Sequence, residues 1–541
     1  MSAATARRRA PDREPDAARD TGTVALLTLA SRLTGFVRVL VAAAVLGTTF
    51  LGNTYQTANT VPNIVFELVA AGLLTAVLLP SLVRLLDGPE PTEGEHVARS
   101  VLGLVGAALA VLALVGIVGA PTIMRALLSG APAGPVRDDQ VRVGALLLRC
   151  FLPQLVLYAA GMVATAVLHA KGRFALPAIA PAVNNVVVTA AYVAFWLLVR
   201  DEPRGLDLTT AEQLVLGIGT TAGVLAFCAV PVVAVVRSGT SLRPRFDHRH
   251  PEVRRLTRLG GWAAVQLGCA QLLLVVVLVL ANGVEGGVVA YQLAFTVFLL
   301  PYAVVALPVA TALYPALARA AAAGDGAAFG ATTTDGLRAL LLLCAPAAAA
   351  LLALAGPLSE LVSFGAASGG ADQIAGGIAG FGPGLLGYGA LLFLTRASYA
   401  AGDTRTPALV HLGVLVAGSV AMVAAAAAVD GDDLVAWLAG VHSVVHIVGA
   451  CALLGRARAA AGRPAGSSLG RPVATTLLGG GMATLVMLFV VQAFDPAGRK
   501  AALVAVVVAG GVGIAAYAAV ERLAGGVRLA TVPALLRGRT T

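Results

Sequence analysis

Two arginines stand inside the first apolar run of the chain, Arg32 and Arg38 in ASRLTGFVRVL. At the centre of a membrane helix such a charge costs about 2.5–3.5 kcal/mol, so it is expected to face a cavity, a partner or an interface. The chemistry a guanidinium offers there is recognition, because its planar fork of donors suits phosphate or diphosphate. On a helix the two residues lie about 9 Å apart along the axis and about 120° apart around it, which favours a broad cavity over a narrow groove. The structural alternatives are snorkelling of Arg32 to the inner interface and an ion pair between Arg38 and Glu67. Arg149 and Arg396 are weaker candidates of the same kind.

Uncharged polar residues also interrupt the apolar runs. Asn59, Asn63 and Glu67 are spaced by four and share one face of a helix. Asn184 and Asn185 form a pair further on, and Gln266 shares a later run with Gln271. Each is a candidate cavity residue, and each has the alternative role of hydrogen-bonding between helices. Other chemistries lack their residues. His442 and His446 are four apart with no third ligand, so no metal site is expected. No P-loop, nucleophile–base set or Asp-rich diphosphate loop is present, so no cofactor and no catalytic residue are expected.

The elements that must carry these residues are membrane helices. The chain has 541 residues, 58% hydrophobic and only 12% charged, with mean hydropathy +0.86; a soluble chain has about 25% charged residues. The five cysteines are scattered through apolar segments, as small core residues are. A span needs about 20 residues. Fourteen runs qualify: 23–47, 61–86, 97–128, 141–168, 174–199, 211–236, 256–281, 287–317, 336–365, 373–400, 406–429, 433–455, 472–494 and 499–522. An all-α membrane protein of about fourteen transmembrane helices is therefore expected. Most Lys and Arg fall on the segments that an inside N-terminus makes cytoplasmic, among them Arg7 to Arg9, the stretch 237–258 and Arg456 to Arg471. That bias predicts both termini inside. The net charge of +10 thus alternates with the spans, which argues against nucleic acid as the partner.

The chain also repeats itself. TAVLLPSLVR ending at Arg84 matches ATALYPALAR ending at Arg319, and KGRFALP ending at Pro177 matches AGDTRTP ending at Pro407. Pro121 and Pro357 form a third pair in the same order. The offset equals six spans, so the copies share one orientation: a parallel repeat of two six-helix lobes, with a site expected between them near the midplane. The expected organisation is a basic, disordered cytoplasmic tail (1–22), an N-lobe (23–236), a basic linker (237–258) and a C-lobe (256–455). Two further helices with a preceding basic loop (456–522) and a cytoplasmic tail (523–541) follow.

SRLTGFVR (31–38), NTVPNIVFELVAAGLLTAVLLPSLVR (59–84), GRFALPAIAPAVNNVVV (172–188), ATALYPALAR (310–319) and AGDTRTPALV (401–410), taken together and in this order, resemble the MurJ (MviN) lipid II flippases. That family belongs to the multidrug/oligosaccharidyl-lipid/polysaccharide exporter superfamily. The resemblance implies fourteen helices and a non-enzymatic transporter of the bacterial inner membrane, expected as a monomer. It would carry undecaprenyl-diphosphate-linked peptidoglycan precursor, lipid II, to the outer leaflet by alternating access. It implies that Arg32 and Arg38 hold the diphosphate and that helices 472–522 help form a groove for the lipid tail. Membrane lipids and proteins of cell-wall synthesis or division are the partners it suggests. Family charges are missing at Val39, Phe66 and Thr296, which leaves open another polyprenyl-linked glycan as cargo, or a non-transporting scaffold of wall synthesis.

Overall fold

A computed structural model of the protein describes residues 14–69, 78–86, 91–200, 205–249, 261–429, 431–460 and 469–524. Among these residues the regular structure is helical, with no strand. Among the described residues twelve helical spans are long and apolar enough to cross a membrane, and the pair Gly365–Phe381 with Gly384–Ala400, bent by 49°, makes a thirteenth. The expected span 61–86 is carried at its two ends by helices, and residues 70–77 between them lie outside the described residues. Large apolar side chains are left facing outward, such as Val118 (82% exposed) and Phe489 (73% exposed). Only a lipid surround makes that favourable for a chain this apolar.

The first lobe is built of α1 (Glu14–Leu46), α2 (Phe50–Val69), α3 (Leu79–Leu86), α4 (Pro91–Leu127), α5 (Pro135–Phe151), α6 (Gln154–Ala170), α7 (Ala175–Val199) and α8 (Thr210–Arg237). Its core gathers Tyr55, Leu82, Met124, Leu148 and Phe195, all buried. The second lobe is α9 (Gly261–Ala281), α10 (Gly287–Pro301), α11 (Leu307–Ala322), α12 (Gly326–Ala353), α13 (Ala355–Val362), α14 (Ala371–Phe381), α15 (Gly384–Ala400), α16 (Arg405–Ala428) and α17 (Asp433–Ala460). Phe298, Leu313, Phe381 and Phe393 lie at its core. Finally α18 (Gly470–Phe494) and α19 (Arg499–Leu523) pack onto α12 and α13 through a third cluster around Ala349, Met487 and Tyr517.

Two junctions display the repeat in backbone detail. After α6 the chain turns at Gly172 (φ 69°), with the Arg173 N–H donating to Leu168 O at 2.8 Å. After α15 it turns at Gly402 (φ 81°), with the Asp403 N–H donating to Ser398 O at 2.9 Å. Both are glycine C-caps with the long backbone bond of the Schellman type. The spans before them are also both broken, between α5 and α6 at Pro153 and between α14 and α15 at Pro383. The pair Pro121 and Pro357 is less alike: Pro121 lies within the unbroken α4, whereas Pro357 lies in the short α13. At Pro301 the chain does not break but passes through a π-helical turn, Tyr302–Ala306, into α11.

Some boundaries differ from expectation. Helix α1 begins at Glu14, inside the expected tail 1–22, and α17 runs on through Arg456 and Arg458 to Ala460. The larger correction is α2, which begins at Phe50 and not at 61. Its first half, GNTYQTANT, is polar enough to suggest a loop. Asn53, Thr54, Thr57 and Thr60 are nevertheless buried, because they meet the second lobe or bond within the helix. The linker residues 241–247 lie along the start of α4: the Arg245 N–H donates to Arg99 O at 3.0 Å, and the Ser241 N–H to a Glu95 carboxylate oxygen at 2.9 Å. Residues 250–260 lie outside the described residues.

The lobes meet tightly at one end, where α1 turns into α2 and α9 into α10. Asn53 of α2 donates to Val284 O at 2.8 Å and accepts from the Val288 N–H at 3.0 Å. Asn282 donates to the Thr57 hydroxyl at 2.9 Å. Gly286 (φ 73°) and Gly365 (φ 61°) press their backbones against Thr48 and Ala44; a Cβ on either would stand about 2.5 Å from those atoms. Both the positive φ and the close approach demand glycine.

Candidate functional site

Below that sealed end the lobes separate around a cavity of about 460 Å³. The first lobe supplies Arg38, Val39 and Ala42 from α1, Gln56, Asn59, Thr60 and Asn63 from α2, and Tyr192 from α7. The second supplies Leu274 from α9 and Tyr291, Gln292, Phe295 and Thr296 from α10. One wall is thus polar and cationic, and the other aromatic with two uncharged polar side chains. Among the described residues, Arg38 is the one charged residue in the lining. Its Nε is buried with no hydrogen-bond partner, and among the described residues it forms no ion pair. Tyr192 is fixed by its hydroxyl contact with Tyr55 (3.0 Å), which in turn meets Thr220 at 2.6 Å. A donor held in a rigid polar wall, with nothing to donate to, is arranged for an anion.

Of the residues singled out from the sequence, Arg38, Asn59 and Asn63 share this cavity. Asn63 donates to Asn59 O at 2.8 Å and accepts from the Tyr158 hydroxyl at 3.1 Å, so it is partly engaged already. Arg32 does not line the cavity and is exposed on α1. Glu67, also exposed, makes no ion pair with Arg38. Asn185 instead ties α7 to α1, with its amide 3.2 Å from Ser31 O and from the Thr34 hydroxyl. Asn184 lies where α7 meets α8, with its Oδ1 beside Gly223 and buried without a partner. Gln266 bonds Tyr399 and lies 3.5 Å from His411, within the second lobe. Arg149 and Arg396 are each held by a neighbouring helix, through Ile117 O and the Thr311 hydroxyl.

The sequence reading missed Gln56, Tyr192, Tyr291, Gln292 and Phe295. Gln56 and Gln292 carried a signal, an amide inside or beside an apolar run. The aromatic residues carried none, since nothing in their spacing separates a cavity wall from a core. Val39 and Thr296, where family charges are missing, do line the cavity, while Phe66 packs its ring on Tyr158 at 4.2 Å.

The comparison with known proteins is decided by one match: the model for the lipid II flippase MurJ family aligns with residues 42–505. The chain belongs to the MurJ family. It is 29% identical over 391 residues to a probable lipid II flippase MurJ of Rhizobium tropici, covering 71% of each chain. It is 28% identical to the lipid II flippase MurJ of Burkholderia cenocepacia, over 73% of this chain and 75% of that one. In three dimensions it is similar to a lipid II flippase MurJ in an inward closed conformation, with TM-score 0.73 at 17% identity, over 92% of this chain and 98% of that one. An inward-facing multidrug resistance MATE transporter shares the fold at TM-score 0.62 and 14% identity, over 81% of this chain and 98% of that one. Membership of the MurJ family and the spans together make this a multi-pass membrane protein.

Proposed function

We propose that this protein is a flippase for lipid II, a transporter and not an enzyme, whose inter-lobe cavity receives the diphosphate of the lipid-linked precursor. The single observation that carries this reading is the unpartnered guanidinium of Arg38, the lone charge among the described residues lining a cavity between two lobes of a chain that belongs to the MurJ family. Arg38 is the diphosphate ligand; Asn59, Asn63 and Gln56 surround it with groups that accept or donate to the sugar and phosphate oxygens. Arg32, exposed and outside the lining, acts at most on approach of the headgroup.

The protein sits in a bacterial inner membrane with its termini in the cytoplasm, an orientation that the distribution of basic residues supports. The sealed end then faces outward. A cavity of about 460 Å³ is of small-ligand size, too small for a disaccharide-peptide, so loading demands that the lobes part. Transport proceeds by alternating access: the headgroup enters from inside, the seal around Asn53 opens, and the polyprenyl chain stays in lipid. An inside-negative potential favours outward passage of the anion by about 2.3 kcal/mol per charge per 100 mV. The protein works as a monomer with lipid II as its partner, and α18 with α19 borders the path of the lipid tail. The two lobes and the two added helices serve as the moving parts.

The test is genetic. Arg38→Ala, expressed at wild-type level, fails to support growth of cells depleted of their own flippase, while Arg38→Lys supports it weakly, because a point charge replaces a fork. Full rescue by Arg38→Ala removes the cavity from the mechanism.

A further inference from the structure

Behind the aromatic wall of the cavity lies a pair of imidazoles that headgroup binding leaves unused. His442 and His446, one turn apart on α17, stack with ring centroids 4.1 Å apart and planes 23° from parallel. Tyr388 of α15 lies against both, at 5.9 and 5.0 Å. Phe295 of α10 and Phe381 of α14 close edge-on against His442 at 5.8 and 5.4 Å. The Tyr291 hydroxyl stands 3.4 Å from His442 Nδ1, and His442 Nε2 is buried with no hydrogen-bond partner. His446, itself buried, donates from Nδ1 to His442 O at 2.7 Å.

The titratable groups facing the pair are Tyr291 from α10 and Tyr388 from α15, with His411 on the neighbouring α16. Helix α14 presents Phe381. Among the described residues no Asp, Glu, Lys or Arg forms an ion pair or hydrogen bond with either ring. His442 lies about 14 Å along α17 from its start, near mid-membrane.

Intramembrane ionisable groups are retained for function more than for packing, and this pair has the features of a site for one charge. Stacked rings this close repel a second proton. Access is built in, because Tyr291 and Phe295 line the cavity on one side and touch His442 on the other. We propose that His442 and His446 form a one-proton site linked to the anion in the cavity, so that headgroup binding takes up a proton and acidity tightens headgroup binding.

A hydronium in the cavity gives a proton to the Tyr291 oxygen as the Tyr291 hydroxyl proton passes to His442 Nδ1. That leaves water, a neutral phenol and an imidazolium whose other proton is on Nε2. The imidazolium and the diphosphate then attract each other across one layer of side chains. The coupling is reciprocal by thermodynamic necessity. The proposal rests on the cavity as the headgroup site.

The experiment is calorimetric titration of the full-length protein with geranylgeranyl diphosphate, a detergent-soluble polyprenyl diphosphate. Buffers matched in pH but differing in ionisation enthalpy, from pH 7.5 to 5.0, count the protons taken up. Wild type takes up more protons than His442→Gln/His446→Gln, and its affinity rises about tenfold toward pH 5.0, the size expected for charges one residue layer apart. The double variant binds as wild type does at pH 7.5 and lacks the excess. Equal proton counts and equal pH dependence in the two proteins overturn the proposal. If the double variant does not fold, His442→Phe, which suits the aromatic surroundings, is read the same way. An Arg38→Ala control separates the two claims. Binding that survives Arg38→Ala unchanged, or no binding by wild type, removes the headgroup site and the linkage with it. Arg38-dependent binding without the excess proton removes the linkage alone.

Discussion

The two arginines of the first helix look alike in sequence and differ in structure. Arg38 enters the cavity with its Nε unpartnered, whereas Arg32 is exposed outside it. A charge-assisted hydrogen bond contributes about 1.5–3 kcal/mol. Arg38→Ala is therefore expected to weaken polyprenyl-diphosphate binding by about tenfold to a hundredfold, and Arg32→Ala by less than about threefold, as a binding titration of both variants will show. The 120° separation around α1 was legible in the sequence; which arginine faces the cavity was not. Spacing by four placed Asn59 and Asn63 together correctly, but it added Glu67, where the face has turned out of the lining. The second wall was invisible because Tyr291 and Phe295 have the composition of a core.

At the scale of elements, the informative surprise is the early start of α2. Hydropathy assigns its polar first half to a loop, yet those side chains are buried because the opposing lobe satisfies them. Asn53 alone makes two bonds to the backbone at the α9–α10 turn. In Asn53→Ala the Val284 carbonyl and the Val288 N–H lose their partners, at about 1–3 kcal/mol for an orphaned buried group. Opening relieves that cost, so the equilibrium shifts toward the state parted at this end. A cysteine placed at Thr48 should then react severalfold faster with a membrane-impermeant thiol reagent; an unchanged rate denies Asn53 a role in the seal. The motifs KGRFALP and AGDTRTP announced their equivalence more reliably, since a turn with glycine at positive φ constrains sequence locally.

For the whole molecule, the all-helical, many-span architecture follows from sequence because lipid enforces it, as apolar length and internal hydrogen bonding leave little else; of the fourteen runs read, twelve spans and a bent thirteenth stand among the described residues. The cavity does not follow, since it depends on how two lobes tilt against each other. If transport requires their seal to open, tying it shut must stop turnover. Thr57→Cys with Asn282→Cys replaces an inter-lobe hydrogen bond by a disulfide; flipping is expected to cease on oxidation and return on reduction, whereas undiminished flipping by the oxidised protein excludes opening at this end. The most direct measurement asks where lipid II resides. In cells depleted of their own flippase, restoring wild type should return lipid II to the outer leaflet, where an externally added degrading enzyme reaches it, and restoring Arg38→Ala at equal abundance should leave it inside. Outer-leaflet lipid II at wild-type level in the Arg38→Ala cells would contradict the account.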